Sequence, residues 1–464
     1  MRVVDSGLTG LALTRRRFSA GVATGVAAGA SAWLAAACGA GTGGTGGEGG
    51  GVKVTAPAEI RWMNRNDDIL RAAARKALDE KFQVENPNVK VVLEPVPPGQ
   101  AYPAVQVAAM AAGTAWDVFE TWADIVEGFA ERGGVLDLEK YTKVDLKQED
   151  LKDYYPWQWN AFRLYNIRWG MPKYVNVMTL WINKDLFEKS GVKLPTKDWT
   201  HAEYADAMVR LTKTEGNNIT QWGGAIPMWS WDRFWYRVDM WGGHVVDPKD
   251  NTKCLLAEKP ALDALDWARN LEWDRRVLAQ PNELKRLYDS DALDVNFFNQ
   301  KIAILEDGFY PYRVARMVED KFKFMWMHVP KGPALRRVLG TSDGFTVWKD
   351  TKHPDAAWKL VKWLSGRDFQ LVQTEAAGNF PVRYSVLKEW KSIVTKNYPM
   401  LANANLDVAL EAMEMGYPQD RQFFKKQLDA KDIINPALTK LYREGQTPIS
   451  IMKEVAEQVN NSQK

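Results

Sequence analysis

Between Glu59 and Phe119 the chain alternates between two periodicities, and this limits the possible folds more than any other feature. Glu59-Ile60-Arg61-Trp62-Met63 reads as a short strand, and Asn64 to Asp68 as a turn. From Ile69 onward, Leu70, Ala73, Ala77, Leu78 and Phe82 recur at three and four spacing, the repeat of a helix with one buried face. Asn86-Pro87-Asn88 stops that helix, and Val89 to Leu93 is the next strand. A helix over 104–112, a stop at Gly113 and a strand at Asp117-Val118-Phe119 complete the run. Strand, helix, strand, helix, strand builds an α/β lobe around a parallel sheet.

The pattern resets after a Trp- and Tyr-rich stretch from Tyr154 to Trp169. Val177 to Ile182 predicts a strand, 201–212 a helix, and Gly223 to Pro227 a Gly-rich strand. A second long helix is expected over 260–276, with Leu262, Leu265, Trp267, Leu271 and Trp273 as its apolar contacts. Lys301 to Leu305 is a buried strand by its unbroken apolar run. The last quarter reads as mostly helical, with 356–365 the clearest amphipathic piece. No fixed-period repeat is present, and two α/β lobes fit the pattern better than one large sheet.

Residues ahead of the first strand belong to neither lobe. Arg15-Arg16-Arg17 precedes an uncharged Ala/Gly/Val-rich stretch from Ser19 to Ala37, the layout of an export signal. That stretch is barely long enough, and too poor in Leu, Ile and Phe, for a membrane span. Thr14-Arg15-Arg16-Arg17-Phe18-Ser19 resembles the twin-arginine consensus, the alternative being an ordinary Sec leader. The small residues before Cys38 resemble a lipobox, with Ala35 where Leu is usual. Ala35-Ala36-Ala37 equally forms an A-x-A site for cleavage after Ala37. Gly39 to Gly51 cannot bury a core and behaves as a flexible coil. Such a tether favours lipidation at Cys38 and anchoring to the outer face of the cell membrane over release, for instance into a periplasm. The chain thus divides into an export signal (1–38), a tether (39–55) and the folded remainder.

That remainder, about four hundred residues, is enough for two large lobes. A net charge of +3 without basic clusters argues against nucleic acid as a partner. Once Cys38 is assigned to the lipobox, Cys254 stands alone and no intramolecular disulfide is expected. The four histidines, His201, His244, His328 and His353, match no H-E-x-x-H spacing, and C-x-x-C, G-x-S-x-G and P-loop motifs are missing. No metal, no cofactor and no catalytic residue is therefore assigned, and the chain is read as a non-enzyme. A two-carboxylate glycoside hydrolase, which has no diagnostic spacing, stays as the catalytic alternative. Twenty-one Trp residues point to a ligand with flat apolar faces for some of them, and to core packing for most.

Five separated segments stand out in chain order: Phe82 to Val91, Ala111 to Val118, Gly170-Met171-Pro172 with Trp181 to Phe187, Phe298 to Ile304, and Pro354 to Leu364. Together they resemble the bacterial extracellular solute-binding proteins of family 1, the maltose-binding-protein-like receptors of ATP-binding-cassette importers. Gln300 stands where that family commonly has Gly. The resemblance implies a two-lobed periplasmic-binding-protein-like α/β fold (type II) with three interlobe crossings and the ligand in the cleft. Lobe 1 would comprise 56–174 and 331–378, and lobe 2 would comprise 175–330 and 379–464. It further implies a monomeric receptor that takes a mono- or oligosaccharide and hands it to the permease subunits of an importer. Relatives in the family also take polyamines, iron, phosphate esters and thiamine, so a non-sugar solute is the second reading.

Ligands in open α/β sheets sit beyond the carboxyl ends of strands, which selects the candidate contacts. Trp62, Asn64 and Arg65 close the first strand, and Glu120 and Trp122 follow the third. Tyr174 and Asn176 follow Gly170-Met171-Pro172, and Trp229, Trp231 and Asp232 follow the Ile226-Pro227 strand end. Glu306, Gly308 and Tyr310 come after the buried strand, where the family often places a stacking ring. Ser342 and Asp343 occupy a small-residue turn, and Arg383 lies near the third crossing. Aromatic faces with carboxylates and amides suit the C–H faces and hydroxyls of a sugar. Trp62, Trp122 and Arg383 are the set most open to a packing role, and Glu306 and Asp343 to a salt-bridge role. Asp117 is expected to cap a strand end, and Trp358 and Trp363 to face the core.

Overall fold

The first expected strand, β1 (Ala58–Asn64), lies between β2 (Val89–Pro95) and β3 (Val118–Trp122) and runs parallel to both. Four further strands follow in the chain: β4 (Met171–Asn183), β5 (Ile304–Gly308), β6 (Phe324–Met327) and β7 (Val338–Val347). This computed structural model describes residues 51–464 apart from 66–67, 97–101, 103, 165, 230, 417 and 420–422; the side chains of Asp124, Trp231, Asp232, Thr341, Ser342 and Gln419 are likewise left undescribed. The export signal, Cys38 and most of the tether therefore lie outside the described residues.

Three parallel strands are as far as the expected parallel sheet extends. β7 is antiparallel to β3 and to the first half of β4. The second half of β4 pairs antiparallel with β5 and with β6. The order β5-β4-β7-β3-β1-β2 is one hydrogen-bonded sheet of eight strands, with β6 and the short strand Pro418–Gln419 branching from it. Two lobes thus share one ladder, because β4 is thirteen residues long and serves both. At the usual rise of a strand it spans roughly 40 Å. Its Val175, Val177, Met178, Leu180, Trp181 and Ile182 are all buried, so its second half reads as nearly continuous apolar sequence, as a strand covered on both faces does, while Lys173 and Asn176 interrupt the first half.

Packing against this ladder consumes most of the tryptophan. Trp62 meets Phe345 and Phe369 edge-on at 6.0 and 5.9 Å, and Trp181, Trp222, Trp235, Trp326 and Trp358 are also fully buried. Trp363 packs partly buried against the same core. Asp117 accepts the backbone N–H of Arg61 at 2.9 Å and the hydroxyl of Thr351 at 2.5 Å, the capping role expected of it. Cys254 is buried and free.

Local structure departs from expectation in three places. The helix Asp68–Ala77 passes into a π turn over Leu78–Phe82, and Lys259–Arg269 into another over Asn270–Asp274, where unbroken α-helix was expected. The Gly223 to Pro227 strand is reduced to isolated bridges, Trp222 with Ile302, Gly224 with Leu278 and Ala225 with Leu305. A Cβ on Gly223 would sit 1.9 Å from the Met208 carbonyl oxygen, so this segment is a backbone squeezed against a helix.

Candidate functional site

A buried ion pair forms the floor. Glu120, opposite Phe345 in the β3–β7 ladder, accepts from the Lys173 ammonium at 2.6 Å and from the Asn64 amide at 2.9 Å. All three side chains are buried, and charge persists there because opposite charge and hydrogen bonds replace water. The ladder between β7 and β4 slips after Asp343: Asp343 faces Tyr174 while Gly344 faces Pro172. Lys173 is the extra residue of that bulge, and its ammonium meets Glu120.

Above the floor stands an aromatic clamp. The Arg65 guanidinium lies 3.9 Å from the Trp122 ring centre and 5.0 Å from that of Tyr102, whose rings are themselves 5.5 Å apart. The Tyr102 hydroxyl donates to the Glu120 carbonyl and so ties the clamp to the floor.

Tyr174 and Asn176, two residues apart on β4, share one face. The Tyr174 hydroxyl donates to the Asp343 carboxylate; burial first, then that negative neighbour, holds its pKa well above the ordinary phenol value. Asn176 accepts the Phe309 backbone N–H at 2.8 Å and hydrogen-bonds the Tyr310 hydroxyl. The Tyr310 ring folds over Gly308, where a Cβ would lie 2.7 Å from its Cζ and hydroxyl oxygen, and meets Trp181 edge-on at 6.4 Å. Its pKa is pushed up to about 12 by burial and then by Asp307, which itself pairs with Arg233 at 2.9 Å. Both phenols are therefore neutral across the physiological range. Tyr174, Asn176, Asp343 and Tyr310 bring the middle of the crossing strands together with the end of β5. The charges of Arg65 and Asp343 act on Tyr102 and Tyr174 alike, which puts the clamp beside this group.

Several candidates sit elsewhere. Trp62 has no exposed surface and is core, because its strand continues two residues beyond it. Glu306 points into the lobe, bound by the buried Arg237 at 2.6 and 2.7 Å and by the Tyr236 hydroxyl. β5 runs on through Gly308, so alternation sends Glu306 inward and leaves its neighbour Asp307 with Arg233. Arg383 locks the crossing segments: it donates to the Ser365 carbonyl at 2.9 Å, the Asp153 carboxylate at 3.1 Å and the Tyr154 hydroxyl at 2.6 Å. These three are corrections, each a charge or ring that the surrounding structure already uses. Trp229 is partly buried, with the Arg443 guanidinium 4.4 Å from its ring centre. The side chains of Trp231, Asp232 and Ser342 lie outside the described set. Tyr102, Lys173, Arg233 and Asp307 were missed; only Asp307, adjacent to Glu306, carried a sequence signal.

Two phenols, an amide, a carboxylate and a guanidinium beside aromatic faces make a site for a ligand rich in hydroxyls and acceptor oxygens. A contrasting cavity of about 600 Å³ is lined by Trp157, Leu164, Met413, Pro418 and Phe423, together with Asn160. A Cβ on Gly340 would meet Trp157 and Pro418, whereas Asp343, three residues on, faces the tyrosines. That cavity therefore lies behind the crossing strands. Among the described residues no cluster of His, Cys, Asp and Glu is arranged to hold a metal. No described helix is long and apolar enough to cross a membrane.

A family model for bacterial extracellular solute-binding proteins matches residues 66–370. A putative binding protein of Brucella abortus (strain 2308) is 23% identical over 303 residues, 65% of this chain and 70% of that protein. An ABC substrate-binding protein from Listeria monocytogenes, solved with cycloalternan, superposes with a TM-score of 0.75 at 23% identity, covering 88% of this chain and 99% of that one. A maltose/maltodextrin-binding domain from Bdellovibrio bacteriovorus, bound to maltotriose, gives 0.67 at 19% identity, with 88% and 98% covered. The fold is the two-lobed periplasmic-binding-protein-like one.

Proposed function

The chain belongs to the bacterial extracellular solute-binding protein family, and from that premise we propose that it captures a carbohydrate outside the cytoplasm and delivers it to an ABC importer. The observation that carries the reading is the convergence of Tyr174, Asn176, Asp343 and Tyr310 at the strands common to both lobes. Neutral phenols and an amide pair with hydroxyls without demanding charge, while the rings offer flat faces. Relatives solved with cycloalternan and maltotriose support the same ligand class.

Capture works by hinge closure. Lobes 56–174 with 331–378 and 175–330 with 379–464 rotate about the crossing strands until both walls touch the sugar. The protein acts by binding and not by catalysis, as a monomer, exported through the twin-arginine route and lipid-anchored at Cys38. Permease subunits of the importer are its protein partner.

A thermal-shift screen of the purified protein against a carbohydrate panel tests the assignment. A sugar held at 100 times its Kd should add about 2.7 kcal/mol of stability. Stabilisation by polyamines or phosphate esters, with none by any sugar, overturns it. Solution scattering that is unchanged by a sugar proven to bind overturns hinge closure.

A further inference from the structure

The Arg65 side chain is partly buried and its guanidinium packs against two adjacent rings, at 3.9 Å from Trp122 and 5.0 Å from Tyr102. No carboxylate among the described residues comes within ion-pair distance of it, whereas the other cations of the site are matched: Lys173 by Glu120 at 2.6 Å and Arg233 by Asp307 at 2.9 Å. Its backbone N–H alone reaches Glu120, at 3.4 Å. The Trp122 ring covers one flat side of the guanidinium and Tyr102 flanks it, with the two rings only 5.5 Å apart, which leaves open its edge, where all five N–H donors lie. Such stacking removes most of the freedom an arginine side chain gives up on binding, so the fork is oriented before ligand arrives.

Asp343 is the ladder partner of Trp122, the residue whose ring carries this fork. It accepts the Tyr174 hydroxyl, and no described cation lies within ion-pair distance of it either. The site therefore offers one planar five-donor cation and one acceptor-only carboxylate, side by side and not paired with each other. A carboxylate accepts two neighbouring hydroxyls, and a guanidinium fork matches the two oxygens of a carboxylate.

Resting on the carbohydrate reading above, we propose that the ligand is an acidic saccharide, a sugar carrying a carboxylate as a uronic acid does, with that carboxylate on Arg65 and adjacent hydroxyls on Asp343. Arg65 is then the residue that sets specificity. A neutral sugar leaves the fork to single hydroxyl acceptors, while a uronate fills it with two charge-assisted bonds.

Calorimetry on the purified protein with matched pairs tests this: digalacturonate against galactobiose, diglucuronate against cellobiose, dimannuronate against mannobiose. In the pair whose linkage the site accepts, the acid should bind at least about tenfold tighter than its neutral partner. Arg65→Gln should collapse that ratio to about one, and Arg65→Lys, which keeps the charge but loses the planar fork, should fall between. Lys90→Gln, the same charge change at an exposed pair with Glu59, should leave the ratio intact. A melting temperature for each variant separates lost recognition from lost fold, and Arg65→Lys stands in if Arg65→Gln does not fold. Neutral sugars binding as well as or better than their acids overturn the acidic-ligand proposal and leave carbohydrate capture standing. Binding of neither set, with a non-sugar solute bound instead, overturns both.

Discussion

Glu306→Gln distinguishes a ligand contact from a structural charge. Glu306 and Arg237 are both 0% exposed, joined by bonds of 2.6 and 2.7 Å, with the Tyr236 hydroxyl as a third partner of the carboxylate. Arg237 also donates to His201 Nε2 at 2.6 Å. Burial alone pushes the Arg237 pKa down, and the Glu306 charge reverses that and holds it above its ordinary value. The substitution keeps the side-chain shape but strands the guanidinium without a counter-charge. At a charge separation of about 4 Å and an effective dielectric of ~20, the lost attraction is about 4 kcal/mol. One-sided removal from a buried pair costs about 3–5 kcal/mol in general, which agrees. That is a large part of the ~5–15 kcal/mol holding a typical fold together. Urea unfolding followed by tryptophan fluorescence should show the midpoint fall at unchanged slope. Replacing both partners, Glu306→Leu with Arg237→Met, should recover more than half of the loss, because no orphan charge remains. The reasoning is refuted if Glu306→Gln stays within about 1 kcal/mol of the parent while sugar affinity drops about tenfold.

The same network makes a pH prediction. Burial, and then the Arg237 charge, hold His201 at about 3, against 6.5 ordinarily. The unfolded chain therefore takes up a proton there that the folded chain refuses, so stability is lost as pH falls from 6.5 toward 3. His201→Gln should flatten the decline between pH 7 and 5; parallel curves would exclude this origin. Tyr310→Ala, and at least one of Trp229→Ala and Trp231→Ala, should weaken sugar binding about thirtyfold, roughly 2 kcal/mol, with little change in ligand-free melting temperature. Calorimetry giving parental affinity for all three would make these rings packing residues. Cys38→Ser should move the mature protein from the detergent phase to the aqueous phase, and unchanged partitioning would favour cleavage after Ala37.

The α/β character was legible because periodicity reports it directly: Ile60 and Trp62 on one strand, and Leu70, Ala77, Leu78 and Phe82 on the helical stretch after it, are buried as the spacing requires, whereas Ile69 is exposed and Ala73 half-buried, so the buried stripe is narrower than the spacing alone implied. The helix over 201–212 was legible for a second reason. Thr200 and Glu203 form a capping box, each satisfying the other's backbone N–H, so its start is written in two residues. What stayed hidden depends on residues far apart in the chain. Val177 to Ile182 announces a strand, but nothing local says that it begins at Met171, or that its two halves pair with partners over a hundred residues away.

Site residues were harder still, and strand parity is the reason. A strand judged to end one residue early turns an inward side chain into an apparent post-strand contact, since successive side chains face opposite ways. Glu306 and Asp307 show the consequence: one is sealed against Arg237 and the other pairs with Arg233, and composition does not tell them apart. The bulge at Lys173 compounds it by shifting parity within β4 itself. Asn176 and Tyr310 escape the ambiguity because their contact is anchored by Gly308, whose missing side chain leaves room for the tyrosine ring. A glycine flanked by Asp307 and Phe309 at a strand end is therefore a better pointer to this site than any of the charged residues beside it, because only the absence of a Cβ lets the ring reach the crossing strand.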